Sequence, residues 1–120
     1  APAVLLDDVN TYFEGLPNES PFMLFTGKVC TNQLPAITHI DGSSRVQTVT
    51  KEVGGLYKIL MHLKKIAGIS VVLNTSFNGP GEPIVETPKE AINFLLSSKL
   101  DVLYIEGKRI TKASYPKQIK

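Results

Sequence analysis

The sequence predicts an α/β fold, a mixed sheet covered by helices, and three observations lead there. Short apolar runs of strand length, β-branched or aromatic, recur along the 120 residues. Two longer segments carry apolar residues at the i, i+3, i+4 spacing of an amphipathic helix. The two kinds of segment are interleaved, and no linker or internal repeat divides the chain, so one domain over 1–120 is expected.

Taken in order, Ala3–Leu6 is short and apolar. Asp7 or Asp8 after it can cap a helix whose inner face is Val9, Tyr12 and Phe13, closed by Gly15 and Pro17. Phe22–Val29 reads as a strand bounded by Pro21 and the polar Thr31-Asn32-Gln33, and Tyr12, Phe13, Phe22 and Phe25 read as core. Pro35–Ile40 and Arg45–Val49 are two further strands. The Asp41-Gly42-Ser43-Ser44 turn joins them, because Asp bonds its own backbone and Gly accepts positive φ. From Thr50 to Gly68 the period becomes helical, with Val53, Leu56, Tyr57, Leu60, Leu63 and Ala67 as the stripe. Gly54-Gly55 weakens the first turn, so the helix is expected to begin after them. Ile69–Leu73 is a buried strand that runs into the polar loop Asn74–Pro83. Thr87-Pro88-Lys89-Glu90 spells a capping box, and Ala91, Phe94 and Leu95 face inward along the helix to Ser97. Asp101–Glu106 and Arg109–Lys112 form a hairpin through a type II′ turn at Gly107-Lys108, and a polar, loose tail follows Ser114.

Composition excludes several classes of function. Thirteen Lys and Arg against eleven Asp and Glu leave a formal net charge of +2, too balanced for binding driven by nucleic-acid phosphates. Cys30 is a single cysteine, read as a small hydrophobe, and with two histidines beside it no metal site is expected. Apolar runs such as Ile69–Leu73 fall far short of the ~20 residues that span a bilayer. No signal peptide is apparent, and the expectation is a cytoplasmic protein with small-molecule partners, no membrane and no nucleic acid. A chain that opens on Ala1 rather than Met reads as a piece of a longer one.

Two segments can carry chemistry. The loop after Leu73 places Asn74, Thr75, Ser76 and Asn78 at a strand's C-terminal end, where open α/β sheets bind ligands. Its glycines let backbone amides approach an anion. Equally, a long surface loop can use such residues to satisfy its own backbone. No Gly-Lys-Ser/Thr follows, which excludes a P-loop. In the second segment, strand alternation places His39, Asp41 and Arg45 on one face if the turn does not reset the phase. An arginine fork beside hydroxyls matches phosphate or carboxylate oxygens. The alternative is a hairpin with an exposed Arg45 and a hydrogen-bonded His39. His62 reads as a surface side chain on its helix.

Together the segments His39-Ile40-Asp41-Gly42-Ser43-Ser44-Arg45-Val46-Gln47-Thr48-Val49, Leu73-Asn74-Thr75-Ser76-Phe77-Asn78 and Gly81-Glu82-Pro83-Ile84-Val85 with Thr87-Pro88 resemble the C-terminal part of the nodulation and antibiotic O-carbamoyltransferases. Ala1-Pro2-Ala3-Val4-Leu5 and Ser20-Pro21-Phe22-Met23 fit the same family, so the resemblance covers nearly the whole chain. It implies a YrdC-like mixed twisted sheet with flanking helices, here a partial domain. It also implies an enzyme whose C-terminal domain makes carbamoyl-adenylate from carbamoyl phosphate and ATP, with Mg2+. A separate N-terminal domain of the same polypeptide, of the actin-like ATPase type, would pass the carbamoyl group to a hydroxyl or amine. By that resemblance Arg45 and His39 are the catalytic candidates. Ser44, Arg45, Asn74, Thr75, Ser76 and Asn78 are the candidates for binding nucleotide and phosphate. Two departures stand out: many members have Val-Arg where Gly79-Pro80 stand, and the family's basic run precedes the position of Ala1. The isolated fragment is therefore expected to be inactive. A non-catalytic nucleotide-binding or scaffold module of the same fold is the alternative.

Overall fold

A computed structural model of the chain describes residues 1–114, so the tail expected beyond Ser114 lies outside the described residues. The architecture is mixed α/β, as the interleaved pattern predicts. The chain divides into two compact units, Ala1–Thr75 and Ser76–Lys120.

The first unit is built on a five-stranded sheet of order β2-β3-β4-β1-β5. Its strands are β1 (Pro2–Leu5), β2 (Phe13–Glu14), β3 (Phe25–Val29), β4 (Ser43–Val49) and β5 (Val71–Leu73). β1 runs parallel to β4, with Val4 opposite Thr48, and antiparallel to β5, with Val4 opposite Val71. β4 serves two neighbours in succession: Ser43–Val46 pair with β3 and Gln47–Val49 with β1. Beyond the end of the β3 ladder, Ser20 takes over the exposed edge. It donates its amide to Thr48 Oγ1 and its hydroxyl to the Val46 carbonyl, and its own carbonyl accepts from the Thr48 amide.

Alternation along β4 separates two cores. Val46 joins Val4, Val9, Tyr12, Phe13, Ile37 and Val71 on one face, and Val49 joins Ala3, Leu5 and Leu60 on the other. Helix α2 (Gly55–Ala67) covers the second face through the fully buried Leu60, supported by Leu56 and Tyr57. It begins after Gly54, whose φ is 68°, and stops at Gly68 in the left-handed conformation. Leu63 is half-buried, while Val53 and Ala67 of the expected stripe are exposed.

Several expectations are corrected. Val9–Tyr12 is a single helical turn, α1, and Phe13 already belongs to β2, because pairing with Val29 buries it better than another turn would. Asp8 does not cap that turn with its side chain. It accepts hydrogen bonds from Lys64 at 2.7 Å and from the Ser70 hydroxyl at 2.6 Å. Pro35–Ile37 is a 3-10 turn rather than a strand; a prolyl nitrogen lacks the amide proton that a ladder needs. β3 starts only at Phe25, leaving Phe22 exposed and Phe25 half-exposed at the edge of the sheet rather than in its core. Cys30 is exposed, not buried.

The second unit holds helix α3 (Pro88–Ser97) and the hairpin of β6 (Val102–Ile105) and β7 (Lys108–Thr111). The capping box forms as spelled: the Glu90 amide donates to Thr87 Oγ1, and the Glu90 carboxylate accepts from the Thr87 amide. Ala91, Leu95 and Leu103 make the core, with Phe77 and Val85 packed against it. The hairpin turn lies one residue earlier than expected. Ile105 pairs with Lys108, and Glu106 and Gly107 both have positive φ (47° and 71°), the signature of a type I′ turn.

Candidate functional site

The strand directions bring the expected segments of the first unit to one end of its sheet. β4 starts at that end, and β5, antiparallel through β1, finishes there. Gln47 of β4 and Asn74 just past β5 therefore meet at this end, with Arg45 two residues earlier on β4. Arg45 lies inside a strand rather than in a polar loop.

The turn that leads into β4 is fixed by hydrogen bonds. The Gly42 amide donates to the His39 carbonyl, and the His39 amide donates to the Ser43 carbonyl. Asp41 Oδ1 accepts from both the amide and the hydroxyl of Ser43, at 3.0 and 2.6 Å. These bonds hold the Asp41 carboxyl below the usual carboxylate range. Gly42, at φ 78°, supplies the conformation that the turn requires.

From Ser43 onward the pleat decides which side chains can meet. Arg45 and Gln47 share the face that α2 covers farther along, but α2 packs over the Val49 end and leaves Arg45 exposed. Thr26 lies directly opposite Arg45 on β3, and Lys28 opposite Ser43, on the same face. Glu14 of β2 stands opposite Lys28. Asn74 Nδ2 donates to Gln47 Oε1 at 3.4 Å, across β1, where Ala3 stands opposite Gln47. Among the described residues the ion pair is Lys64–Asp8, and Arg45 takes part in none. This end of the sheet thus offers a guanidinium without an ion-pair partner among the described residues, two carboxamides and a hydroxyl.

Ser44 points to the other face and is 1% exposed. Among the described residues its hydroxyl has no hydrogen-bond partner. With Thr38, His39, Pro2 and Leu73 it lines a cavity of about 180 Å³. His39 and Ser44 are therefore brought together, whereas Ser44 and Arg45, adjacent in sequence, face opposite sides of β4. His39, Asp41 and Arg45 do not line one strand face, because the turn resets the phase.

The remaining candidates divide at the boundary between the units. Thr75 is exposed at the end of the first and Ser76 at the start of the second. Asn78 uses its amide within its own loop, donating to the carbonyls of Glu82 and Gly79 at 2.9 and 3.2 Å. Glu82 also donates its backbone amide to the Gly79 carbonyl, and the Phe77 carbonyl accepts from Val85. For Asn78 the self-satisfied loop describes the donors well. Gln47, Thr26 and Lys28 were not singled out as site residues from the sequence. Period-2 alternation from Arg45 was the available signal for Gln47, while Thr26 and Lys28 required the register of β3. The second unit also has a groove of about 430 Å³ between Glu82–Glu86 and the Phe94 side of α3.

Among the described residues no group of three or more His, Cys, Asp or Glu side chains is placed to hold a metal ion. The Asp41 carboxylate is already engaged by Ser43. The described residues do not by themselves make a protein cage for Mg2+, an ion usually held by one or two carboxylates together with substrate phosphates. No helix among the described residues is long and apolar enough to cross a membrane.

The family described as carbamoyltransferase C-terminus matches residues 1–112. Nodulation protein NolNO of Sinorhizobium fredii is 40% identical over 93% of this chain, which spans 17% of that protein. The 3'-hydroxymethylcephem-O-carbamoyltransferase of Amycolatopsis lactamdurans is 33% identical over 77% of this chain, with 18% of its own length covered. An uncharacterized protein of Synechocystis is 34% identical over 98% of the chain and 23% of its own length. The chain thus spans less than a quarter of each of these relatives.

Proposed function

We propose, because this chain belongs to the carbamoyltransferase C-terminus family, that it is the adenylate-forming part of an ATP-dependent carbamoyltransferase. Its partner would be an N-terminal carbamoyl-transfer domain of the same polypeptide in the cytoplasm. The observation that carries the reading is the unpaired Arg45 guanidinium on an uncovered sheet face, beside the carboxamides of Gln47 and Asn74.

The chemistry asks little covalent work of the protein. Carbamoyl phosphate and water give carbamate and inorganic phosphate. A carbamate oxygen then attacks the α-phosphorus of ATP, the bond to the β-phosphate oxygen breaks, and pyrophosphate leaves. Transfer of the carbamoyl group to a hydroxyl or amine releases AMP and a proton. Positioning and charge stabilisation dominate such a phosphoryl-centred step. Arg45 presents a planar fork of donors to phosphoryl oxygens, and the exposed hydroxyl of Thr75 supplies a neutral donor. His39, on the turn that sets the start of β4, lines with Ser44 a cavity on the opposite face of that strand, so its part in the reaction would be to hold the turn that presents Arg45.

The test is pyrophosphate release by the full-length polypeptide. The reading expects release that depends on both ATP and carbamoyl phosphate. Nucleotide binding without pyrophosphate release would instead identify a non-catalytic module of the same fold.

A further inference from the structure

We infer that Gln47 is the residue that selects a carbamoyl group over other small acyl groups; this rests on the carbamoyl-adenylate reading above and adds to it the residue that sets acyl specificity. Three observations converge on this residue. Gln47 lies two positions after Arg45 on one face of β4, so a ligand whose phosphoryl oxygens reach the Arg45 fork extends its other end toward Gln47. Gln47 stands where the cover of α2 ends: Ala3 and Val49 on the same face are fully buried against Leu60, while Gln47 is half-buried and its amide can be reached. The carboxamides of Gln47 and Asn74 lie in contact, with Asn74 Nδ2 donating to Gln47 Oε1 at 3.4 Å.

A glutamine carboxamide offers both an acceptor and donors along one planar edge. Oε1 keeps a second lone pair, and Nε2 keeps two donors. A carbamoyl group carries the complementary set, an N–H donor and a C=O acceptor on one planar edge. The two amides can close a cyclic pair, N–H to Oε1 and C=O from Nε2–H. An acetyl group has the same shape and a methyl in place of the amino group, so it would leave Oε1 facing carbon. Sites built to hydrogen-bond an N–H reject the analogue that lacks it far more strongly than apolar pockets reject one methylene. Asn74 is then a positioning residue, acting through Gln47.

The experiment compares carbamoyl phosphate with acetyl phosphate as the acyl source in pyrophosphate release by the full-length polypeptide. Wild type is compared with Gln47→Met, which keeps the side-chain length and removes both polar atoms. The inference expects wild type to favour carbamoyl phosphate by about 100-fold or more in kcat/KM, and Gln47→Met to shrink that ratio at least tenfold with the KM for ATP unchanged. Asn74→Ala should shift the ratio in the same direction but less. A ratio that Gln47→Met leaves intact, or activity falling equally with both acyl phosphates, overturns the role of Gln47 while leaving the adenylation reading standing. No release by wild type with either acyl phosphate overturns the adenylation reading itself, and the inference with it. Nucleotide binding by each variant confirms that the protein compared is folded.

Discussion

Arg45→Lys separates charge from geometry at the proposed phosphoryl site. The side chain stands on an exposed strand position opposite Thr26 and outside both hydrophobic cores, so its replacement leaves the sheet intact. Lysine keeps the positive charge but presents a point donor in place of a planar fork, so one of two parallel N–H···O bonds is lost. A hydrogen bond to a charged group contributes about 1.5–3 kcal/mol. Since about 1.4 kcal/mol is tenfold in rate, adenylation should slow roughly 10- to 150-fold. Thr75→Ala removes one neutral hydroxyl at an exposed position of the same unit and should cost roughly 0.5–1.5 kcal/mol, about two- to tenfold. Pyrophosphate release by the full-length variants measures both, with circular dichroism and a thermal melt as controls for folding. A folded Arg45→Lys protein with the wild-type rate would refute the assignment, and Arg45 would then be an ordinary solvated side chain at the end of a strand.

Three further outcomes concern the fold. Thr87→Ala removes the side-chain half of the α3 capping box and should lower stability by about 1 kcal/mol, read from denaturant midpoints, with Thr87→Ser retaining most of it. Asp8 is pushed up by burial, but its hydrogen bonds from Lys64 and Ser70 outweigh that and hold its carboxyl below the usual range. Its contribution is therefore present above the unfolded carboxylate pKa and lost as pH falls through the lowered folded value, so the melting temperature should drop in acid and Asp8→Asn should flatten part of that drop. Lys64, raised mainly by its bond to Asp8, gives the mirror image at alkaline pH. Glu106→Asn places a residue tolerant of positive φ in the type I′ turn and should stabilise the β6–β7 hairpin by about 0.5–1 kcal/mol in a thermal or chemical melt; a destabilised variant would show that the Glu106 side chain contributes more than the turn strain costs.

Local chemistry was legible wherever one segment's own residues decide its structure. The α3 box and the stop of α2 at Gly68 follow from Thr87, Glu90 and a glycine alone, whereas α2 takes in Gly55 and so starts one residue earlier than expected. Register was not legible, because it depends on residues far apart in the chain. Phe13 carries a helical spacing yet pairs with Val29, and Pro35–Ile37 is apolar like a strand but begins with a residue that cannot donate to a ladder. Arg45 and Asn74 were legible as residue types suited to an anion and a polar ligand. Their meeting depends on β1 lying between β4 and β5. The placement of Ser44 and Arg45 on opposite faces follows from period-2 alternation once the strand is known to start at Ser43.

β1 sits in the interior of the sheet, yet both of its neighbours come much later in the chain: Ala3–Leu5 pair with Gln47–Val49, and Pro2–Val4 with Val71–Leu73. A strand whose partners are so remote cannot form by local zippering, and the loop entropy must be surrendered before the ladder returns anything. On the ribosome the Ala-Val-Leu run therefore emerges unpaired and waits until β5 has been synthesised. It is then the segment most open to chaperones and to mispairing. The residues that end up between the two halves of the proposed site are thus among the last to be held in place.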